Sequence, residues 1–386
     1  MKILIIARGV PSKRDPQEGC FEWDQAKALK ALGHEPVVLA LDARFRKDGH
    51  KFGVVHRDID GIPFYQGYWM TISVIERLIS KRLAYRLYRH FISRIFRRVL
   101  ADHPDIDVVH SHFLFSTYNI LPAIRESRLP LVATEHWSVL ERDTLDPIIR
   151  HLGNEAFPEA TKVISVSLSL KNRIQQHFGV DSIVVHNMIG PEFENVHISE
   201  KHRHTDDKFH FVSTGSLIPR KGFDVAIRAF KESGLAGRAT YSIIGGGPLR
   251  KELQQLIDSL GLHESVKLLG KKQKTEIVDI LTRCDAFILP SRAENFSVAV
   301  LEALALGLPA IATVCGGIRE CINQNNGLLV EVDNVKEMAG AMLDMVRNYS
   351  RYDNNSIRER CLTLYGPTTI AKGLVKVYEE AIKNTK

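Results

Sequence analysis

Short apolar runs rich in β-branched residues alternate with longer stretches of helical spacing along almost the whole chain. KILII at residues 2–6 is followed by the helical CFEWDQAKALKAL, a turn at Gly33-His34 and the run EPVVLAL. DVVHSH, PLVAT and KVISVS come next, each leading into a helix-like stretch. Alternation of this kind predicts βαβ units and a mostly parallel sheet covered on both faces. The segment from His197 to Lys208, HISEKHRHTDDK, is nearly free of apolar residues and reads as a linker. The alternation then restarts with FHFVSTG, TYSIIGGGP, VKLLG, AFILP, PAIAT and GLLVEV. A chain of 386 residues exceeds one ordinary core. The expected organisation is therefore an α/β pair of doubly wound domains. Residues 1–190 form the first, 191–208 the linker and 209–366 the second, while helix 367–386 is free to return to the first.

Ligands of such sheets bind at the carboxyl ends of the strands. The polar and glycine-rich turns fall at those ends: RGVPSKRDPQEG, HSHFLFS, TEHWS, TGSLIPRKG, GGGP and SRAENFS. Two domains turned toward each other would share a cleft lined by these loops. The five cysteines form no CxxC pair, which argues against a zinc knuckle or disulfide framework and for a reduced, cytoplasmic setting. MKILII is too short an apolar run for a signal segment, and no run approaches a membrane span.

The stretch SRAENFSVAVLEALALGLPAIAT places Glu294 and Glu302 eight residues apart in apolar surroundings. Burying a carboxylate without a partner is costly, so a binding partner is expected for each. The spacing of Val298, Leu301, Ala305 and Leu306 starts a helix near Ser297. Glu294 then precedes the helix and Glu302 lies on it. The backbone N–H groups near Phe296, Ser297 and Val298 would make a phosphate seat. Were both glutamates helical, they would stand about 12 Å apart, beyond the ~5 Å of a retaining glycosidase pair. The two carboxylates must therefore do different jobs.

In TGSLIPRKGF a strand leads into a glycine turn, then Arg220-Lys221 before Gly222 and a helix. Such a turn can bring amides and a cation to a diphosphate, although a basic turn alone is more often merely solvated. It lacks the Walker A pattern, and GGGP at 245–248 lacks the dinucleotide fingerprint. His136 directly follows one strand, and His110 and His112 another. Zinc is conceivable there, but no HExxH or cysteine partner accompanies them.

Together these turns resemble the retaining glycosyltransferases of family 4, which have the GT-B fold. The most specific element is E-x7-E, here Glu294 and Glu302. The ordered set GSLIPRKG, IIGGGPLRKEL, TVCGGIREC and NGLLVEVDN supports it, with looser matches at PQEGCFEWDQAKALKALGHE, HSHF and TEHWS. The resemblance implies transfer of a hexose or N-acetylhexosamine from a nucleoside diphosphate sugar, most commonly a UDP-sugar, with retention at the anomeric carbon. Carried over by position, Glu302 would bind the ribose, and Lys221 with Arg220 the diphosphate. Glu294 and the backbone at Asn295, Phe296 and Ser297, leading into Val298, would hold hexose and phosphates. His136 would serve the reacting face, with Glu294 as the other catalytic residue. Gly19 would let the N-terminal loop approach the diphosphate, and Gly215 and Ser216 would line the basic turn. Two departures stand out. Ser216 occupies a position where many members carry Arg, and Asn295 stands where EGFG has its first glycine.

No cofactor is implied and no metal: the cationic turn can neutralise the leaving diphosphate, and no DxD pair ends a strand. The net charge of +7 is concentrated in IERLISKRLAYRLYRHFISRIFRRVL, residues 75–100, with eight Arg or Lys against one acid. A basic amphipathic helix fits an anionic membrane surface as well as a solvated face on its own domain. Nucleic acid is disfavoured because no binding module accompanies the charge. The expected partners are thus a nucleotide sugar, a glycan or lipid-linked acceptor, and the inner face of a membrane through 75–100. A nucleotide-sugar epimerase of similar architecture and a non-catalytic sugar-nucleotide-binding scaffold are the alternatives.

Overall fold

The computed structural model describes residues 1–9, 19–42, 53–68, 79, 81–196 and 207–385. The chain divides into two compact units. The first contains residues 1–166, 170–186 and 367–386, and the second 167–169 and 187–366. The helix Pro367–Thr385 therefore packs in the first unit. Of the expected linker, Pro191–Glu194 is a helical turn of the second unit, and 197–206 lie outside the described residues.

The first unit is built on β1 (Lys2–Ala7), β2 (Glu35–Asp42), β3 (Gly53–Ile59), β4 (Ile62–Tyr68), β5 (Val108–His112), β6 (Leu131–Glu135), β7 (Lys162–Ser165) and β8 (Ile183–Val184). They form one sheet in the order β3-β4-β2-β1-β5-β6-β7-β8. Ile3, Leu4, Ile5 and Ile6 of β1 are fully buried. Such burial fits an inner parallel strand with both faces covered, which is why it reads as an unbroken apolar run. The sheet is not wholly parallel, because β3 and β4 pair antiparallel. Between them Asp60 and Gly61 both have positive φ, 54° and 67°, as a two-residue hairpin turn of this hand requires.

The second unit is built on β9 (Phe209–Thr214), β10 (Ala239–Ile244), β11 (Val266–Gly270), β12 (Ala286–Leu289), β13 (Ala310–Thr313) and β14 (Gly327–Val330). Their order is β11-β10-β9-β12-β13-β14, and every pairing is parallel.

In the second sheet the chain order reverses once, between β9 and β12, and in the first the parallel strands reverse between β1 and β5. Loops leaving two such strands diverge to opposite faces and leave a crevice at their carboxyl ends, the usual ligand position in open α/β sheets. Topology alone thus brings the loop after β9, with Gly215 and Lys221, beside the loop after β12, with Glu294. In the first unit it brings Arg8 beside His112 and Phe113, with His136 one strand away.

Candidate functional site

In the second unit the loop after β12 turns Glu294 inward. Its side chain is only 8% exposed. Lys221 Nζ donates to Oε1 at 2.5 Å, and the Ser291 hydroxyl donates to the same oxygen at 2.7 Å. The Arg220 guanidinium lies 3.5 Å from Oε2 and donates to the Ala293 carbonyl at 2.8 Å. Burial by itself pushes the Glu294 carboxyl up, but Lys221, Arg220 and Ser291 outweigh it and hold the group below the usual glutamate range. A buried carboxylate here is stable as an anion because two cations and a hydroxyl surround it.

The turn that carries those cations is itself clamped. Pro219–Lys221 is one turn of 3-10 helix ending at Gly222, which has φ 64°. A Cβ at Gly222 would collide with the Pro290 carbonyl, so both the backbone conformation and the close approach demand glycine. Arg292 reaches back over the turn. It donates to the Pro219 carbonyl at 2.6 Å, to both oxygens of Asp224 at 3.1 and 2.7 Å, and to Asp333 at 2.6 Å. Its backbone N–H also donates to the Arg220 carbonyl.

The helix Val298–Ala305 follows, with Ser297 as its N-cap in extended conformation and no side-chain cap bond. Its first amides can therefore meet a ligand. Glu302 lies on this helix, half-buried among the buried Leu301, Ala303 and Leu304. Phe296 is buried against Tyr365, with ring centroids 5.4 Å apart, so its side chain belongs to the core. Asn187 donates to the Phe296 carbonyl at 3.0 Å. Asn295, 4% exposed, gives its carbonyl to the Gly317 N–H at 2.8 Å, while neither polar atom of its buried amide has a hydrogen-bond partner. Gly215 and Ser216 start the β9 loop and are half-buried.

The first unit gathers a second polar cluster. His110 and His112 are fully buried at the end of β5, and His136 is half-buried just after β6. Burial drives the His110 ring down to about 3 and His112 well below its ordinary value, so both are neutral. His110 is held at both nitrogens, by Thr134 Oγ1 at 2.6 Å and by Tyr378 OH at 2.7 Å. His112 Nδ1 lies 3.0 Å from His136 Nε2. The buried Glu135 accepts three backbone N–H bonds, from Leu114 at 2.7 Å, His136 at 2.8 Å and Trp137 at 2.6 Å. These fix the main chain that carries His136. Phe113 has φ 69°, an outlier for an aromatic residue. In that pose its ring lies 4.9 Å from His136 and receives the Arg8 guanidinium at 3.9 Å. Arg8 also meets the buried Glu22 at 3.2 Å. Gly19 caps the helix Cys20–Ala31 with φ 63°, and the loop residues 10–18 before it lie outside the described residues.

Of the residues singled out by sequence, the structure joins Arg220, Lys221 and Glu294 directly and places Asn295 to Val298 and Glu302 on the adjoining loop and helix. His136 and Gly19 belong to the first unit. The sequence reading missed Ser291, Arg292, Asn187 and Glu135. All four are polar residues at or within a few positions of a strand's carboxyl end, a signal too common to single them out. Among the described residues no group of three His, Cys, Asp or Glu could hold a metal ion.

Two family models match the chain. "Glycosyltransferase Family 4" matches residues 23–193, and "Glycosyl transferases group 1" matches residues 195–360. An uncharacterized glycosyltransferase of Methanocaldococcus jannaschii is 27% identical over 249 residues, 63% of this chain and 66% of the relative. The putative teichuronic acid biosynthesis glycosyltransferase TuaC of Bacillus subtilis is 25% identical over 383 residues, 92% of this chain and 90% of the relative. Among solved structures, Anabaena HepE in complex with UDP and glucose superposes with a TM-score of 0.73 at 18% identity, covering 98% of this chain and 99% of that one. The two models adjoin at the boundary between the sheets and together span most of the sequence, and the chain belongs to family 4 of the glycosyltransferases, with their GT-B fold.

Proposed function

We propose that the protein moves a hexose or N-acetylhexosamine from a UDP-sugar to a hydroxyl of a glycan or lipid-linked acceptor, with retention and without a metal. The observation that carries this reading is the cationic pair Arg220 and Lys221, gathered on Glu294 beside the uncapped start of the helix Val298–Ala305. That set suits a diphosphate. Lys221 and Arg220 supply positive charge, the amides supply donors, and Glu302 on the same helix takes the ribose hydroxyls. Glu294 holds Lys221 in place, and Asn295 and the following backbone hold the sugar. In the first unit His136 contacts the transferred sugar.

In the reaction the bond between C1 and the phosphate oxygen breaks, and its electron pair goes to the leaving diphosphate. Lys221, Arg220 and the helix amides stabilise that developing charge. The acceptor hydroxyl oxygen bonds to C1 on the face the diphosphate leaves. Its proton passes to the leaving phosphate oxygen, so no protein base is needed for retention.

A surface-glycan or glycolipid acceptor accords with the teichuronic acid assignment of TuaC. The helix Lys81–Asp102 offers an exposed face with Leu83, Leu87, Arg86 and Arg94 for peripheral contact with anionic lipid. Residues 75–78 and 80 of the basic stretch lie outside the described residues. Among the described residues no helix is long and apolar enough to cross a membrane.

A thermal-shift screen of nucleotides and nucleotide sugars tests the donor, because a ligand that binds only the folded state raises its stability by mass action. Stabilisation by UDP and by one UDP-sugar, followed by UDP release with an acceptor and an α-linked product from an α-donor, is the expected result. A product of inverted configuration, or an epimerised donor with no UDP released, would overturn the reading.

A further inference from the structure

The basic turn Pro219–Lys221 is held from outside itself. It is a single turn of 3-10 helix closed by two backbone bonds, Lys221 N–H to the Ile218 carbonyl at 3.0 Å and Gly222 N–H to the Pro219 carbonyl at 3.2 Å. Bonds of that kind are poorly aligned, and so short a turn does not keep one shape alone. Arg292 supplies what the turn lacks. Its Nη1 donates to the Pro219 carbonyl and to Asp224, its Nη2 to the other oxygen of Asp224, and its Nε to Asp333. Four of the five N–H donors of a guanidinium are thus engaged. The Arg292 backbone N–H donates to the Arg220 carbonyl at 2.8 Å, and Arg220 Nη1 returns a bond to the Ala293 carbonyl at 2.8 Å.

One residue therefore ties three loops at the carboxyl edge of the second sheet. The loop after β12 carries Arg292 itself. The loop after β9 carries Pro219 and runs into the helix Phe223–Glu232, whose first turn holds Asp224. The loop after β14 carries Asp333, with φ 58°. Charge decides whether Arg292 could also meet a diphosphate. Arg292 with Asp224 and Asp333 carries a net charge of −1, whereas Arg220 and Lys221 with Glu294 carry +1. An anion is drawn to the second set and not to the first.

We infer that Arg292 is a positioning residue: it holds the turn 219–222 in shape before the donor arrives, so that Arg220 and Lys221 face the diphosphate, and it does not touch the donor itself. The inference rests on the proposed seat of the diphosphate at this turn. Arg220 and Lys221 are long side chains, and ordering such side chains at the moment of binding lowers affinity. Fixed in advance, they bind at a smaller entropic cost. Lysine cannot take the place of Arg292, because a point charge lacks the planar fork that spans both oxygens of Asp224.

The test compares the affinities of UDP and uridine for the full chain by titration calorimetry, together with hydrogen exchange of the ligand-free protein. Asp224 and Asp333 are 39% and 53% exposed, so they hydrate once unpaired and Arg292→Met should fold. Arg292→Met should lower the ratio of UDP to uridine affinity about tenfold, the cost of ordering two long side chains on binding. Uridine affinity should stay the same, and Arg292→Lys should recover little of the loss. In the background Lys221→Ala/Glu294→Gln, where one of the two cations is gone, Arg292→Met should lower the ratio only about threefold. Amides of 217–222 should exchange faster in Arg292→Met than in the wild type. Should that variant not fold, Asp333→Asn loosens one anchor and should lower the ratio about twofold. An equal fall in uridine affinity overturns the inference, as does an unchanged ratio. An undiminished tenfold loss in the Lys221→Ala/Glu294→Gln background overturns it too, because Arg292 would then contact the diphosphate. If the wild type binds UDP no tighter than uridine, the proposed diphosphate seat fails. Exchange at 217–222 still decides the role of Arg292, and unchanged rates there overturn it.

Discussion

Lys221 Nζ and Glu294 Oε1 stand 2.5 Å apart although 73 residues separate them in the chain. The switch of strand order between β9 and β12 creates that approach, and both side chains are largely buried, at 15% and 8% exposure. Removing one partner of such a pair strands a buried charge, which costs about 3–5 kcal/mol, whereas removing both costs far less. Lys221→Ala should therefore lower stability more than the double variant Lys221→Ala/Glu294→Gln does, as measured by urea unfolding at pH 7. Additive effects of the two single changes would show that the ion pair carries no coupling energy. In folded Lys221→Ala, transfer should slow by about 2–4 kcal/mol of transition-state stabilisation.

Transfer should continue in EDTA. Arg220 and Lys221 already place two positive charges at the loop where the diphosphate is proposed to bind. Activity assays with and without chelator, then with added magnesium or manganese, decide the point. Loss in EDTA with recovery on metal addition would move charge neutralisation from the side chains to an ion.

Glu135 gives a pH dependence of definite sign. Burial pushes its carboxyl up to about 7, against the pull of three N–H donors and Arg8. The folded value lies above that of an exposed glutamate, so the contribution is fully present at low pH and fades as pH rises through about 7. Lowering the pH from 8 to 5 should therefore stabilise the wild type relative to Glu135→Gln, by on the order of 3 kcal/mol. Denaturant unfolding of both proteins at several pH values measures it. A difference that stays flat, or that grows toward high pH, would contradict the assignment.

The parallel core was legible because buried parallel strands carry unbroken apolar runs, as β1 and β12 do. The β3–β4 hairpin escaped the sequence reading, although Asp60-Gly61 between two alternating stretches is a strong local hairpin signal. The E-x7-E spacing singled out the loop after β12, and the helix after Ser297 begins where the apolar periodicity placed it. The side-chain partnerships were not legible. Arg292 sits two residues before that motif, yet its partners Asp224 and Asp333 lie 68 and 41 residues away. The His112–His136 bond joins the ends of neighbouring strands, and only the parallel register of β5 and β6 makes it visible.

The helix Lys81–Asp102 separates its two faces cleanly. Tyr88, Ile92, Ile95, Phe96 and Val99 are buried against the first unit. Leu83, Arg86, Leu87, His90 and Arg94 are exposed, an apolar pair among basic groups at helical spacing. Arg97 and Arg98 are less available, since Glu126 holds the first at 2.8 and 3.0 Å and Asp102 the second at 3.1 Å. Contact with anionic lipid should therefore depend most on Arg86 and Arg94. Attraction of this kind is electrostatic and screened within about 10 Å at 0.1 M salt. Arg86→Glu/Arg94→Glu should weaken binding to phosphatidylserine-containing vesicles about thirtyfold or more at low salt. Leu83→Ser/Leu87→Ser should weaken it by a part that salt does not remove, because burial of apolar side chains is not screened. Nucleotide affinity should be the same in all three proteins. Transfer to a soluble acceptor analogue should also hold, while transfer to a lipid-linked acceptor falls. Wild-type protein that ignores anionic vesicles at low salt would leave this face as a solvated surface and point to a soluble acceptor.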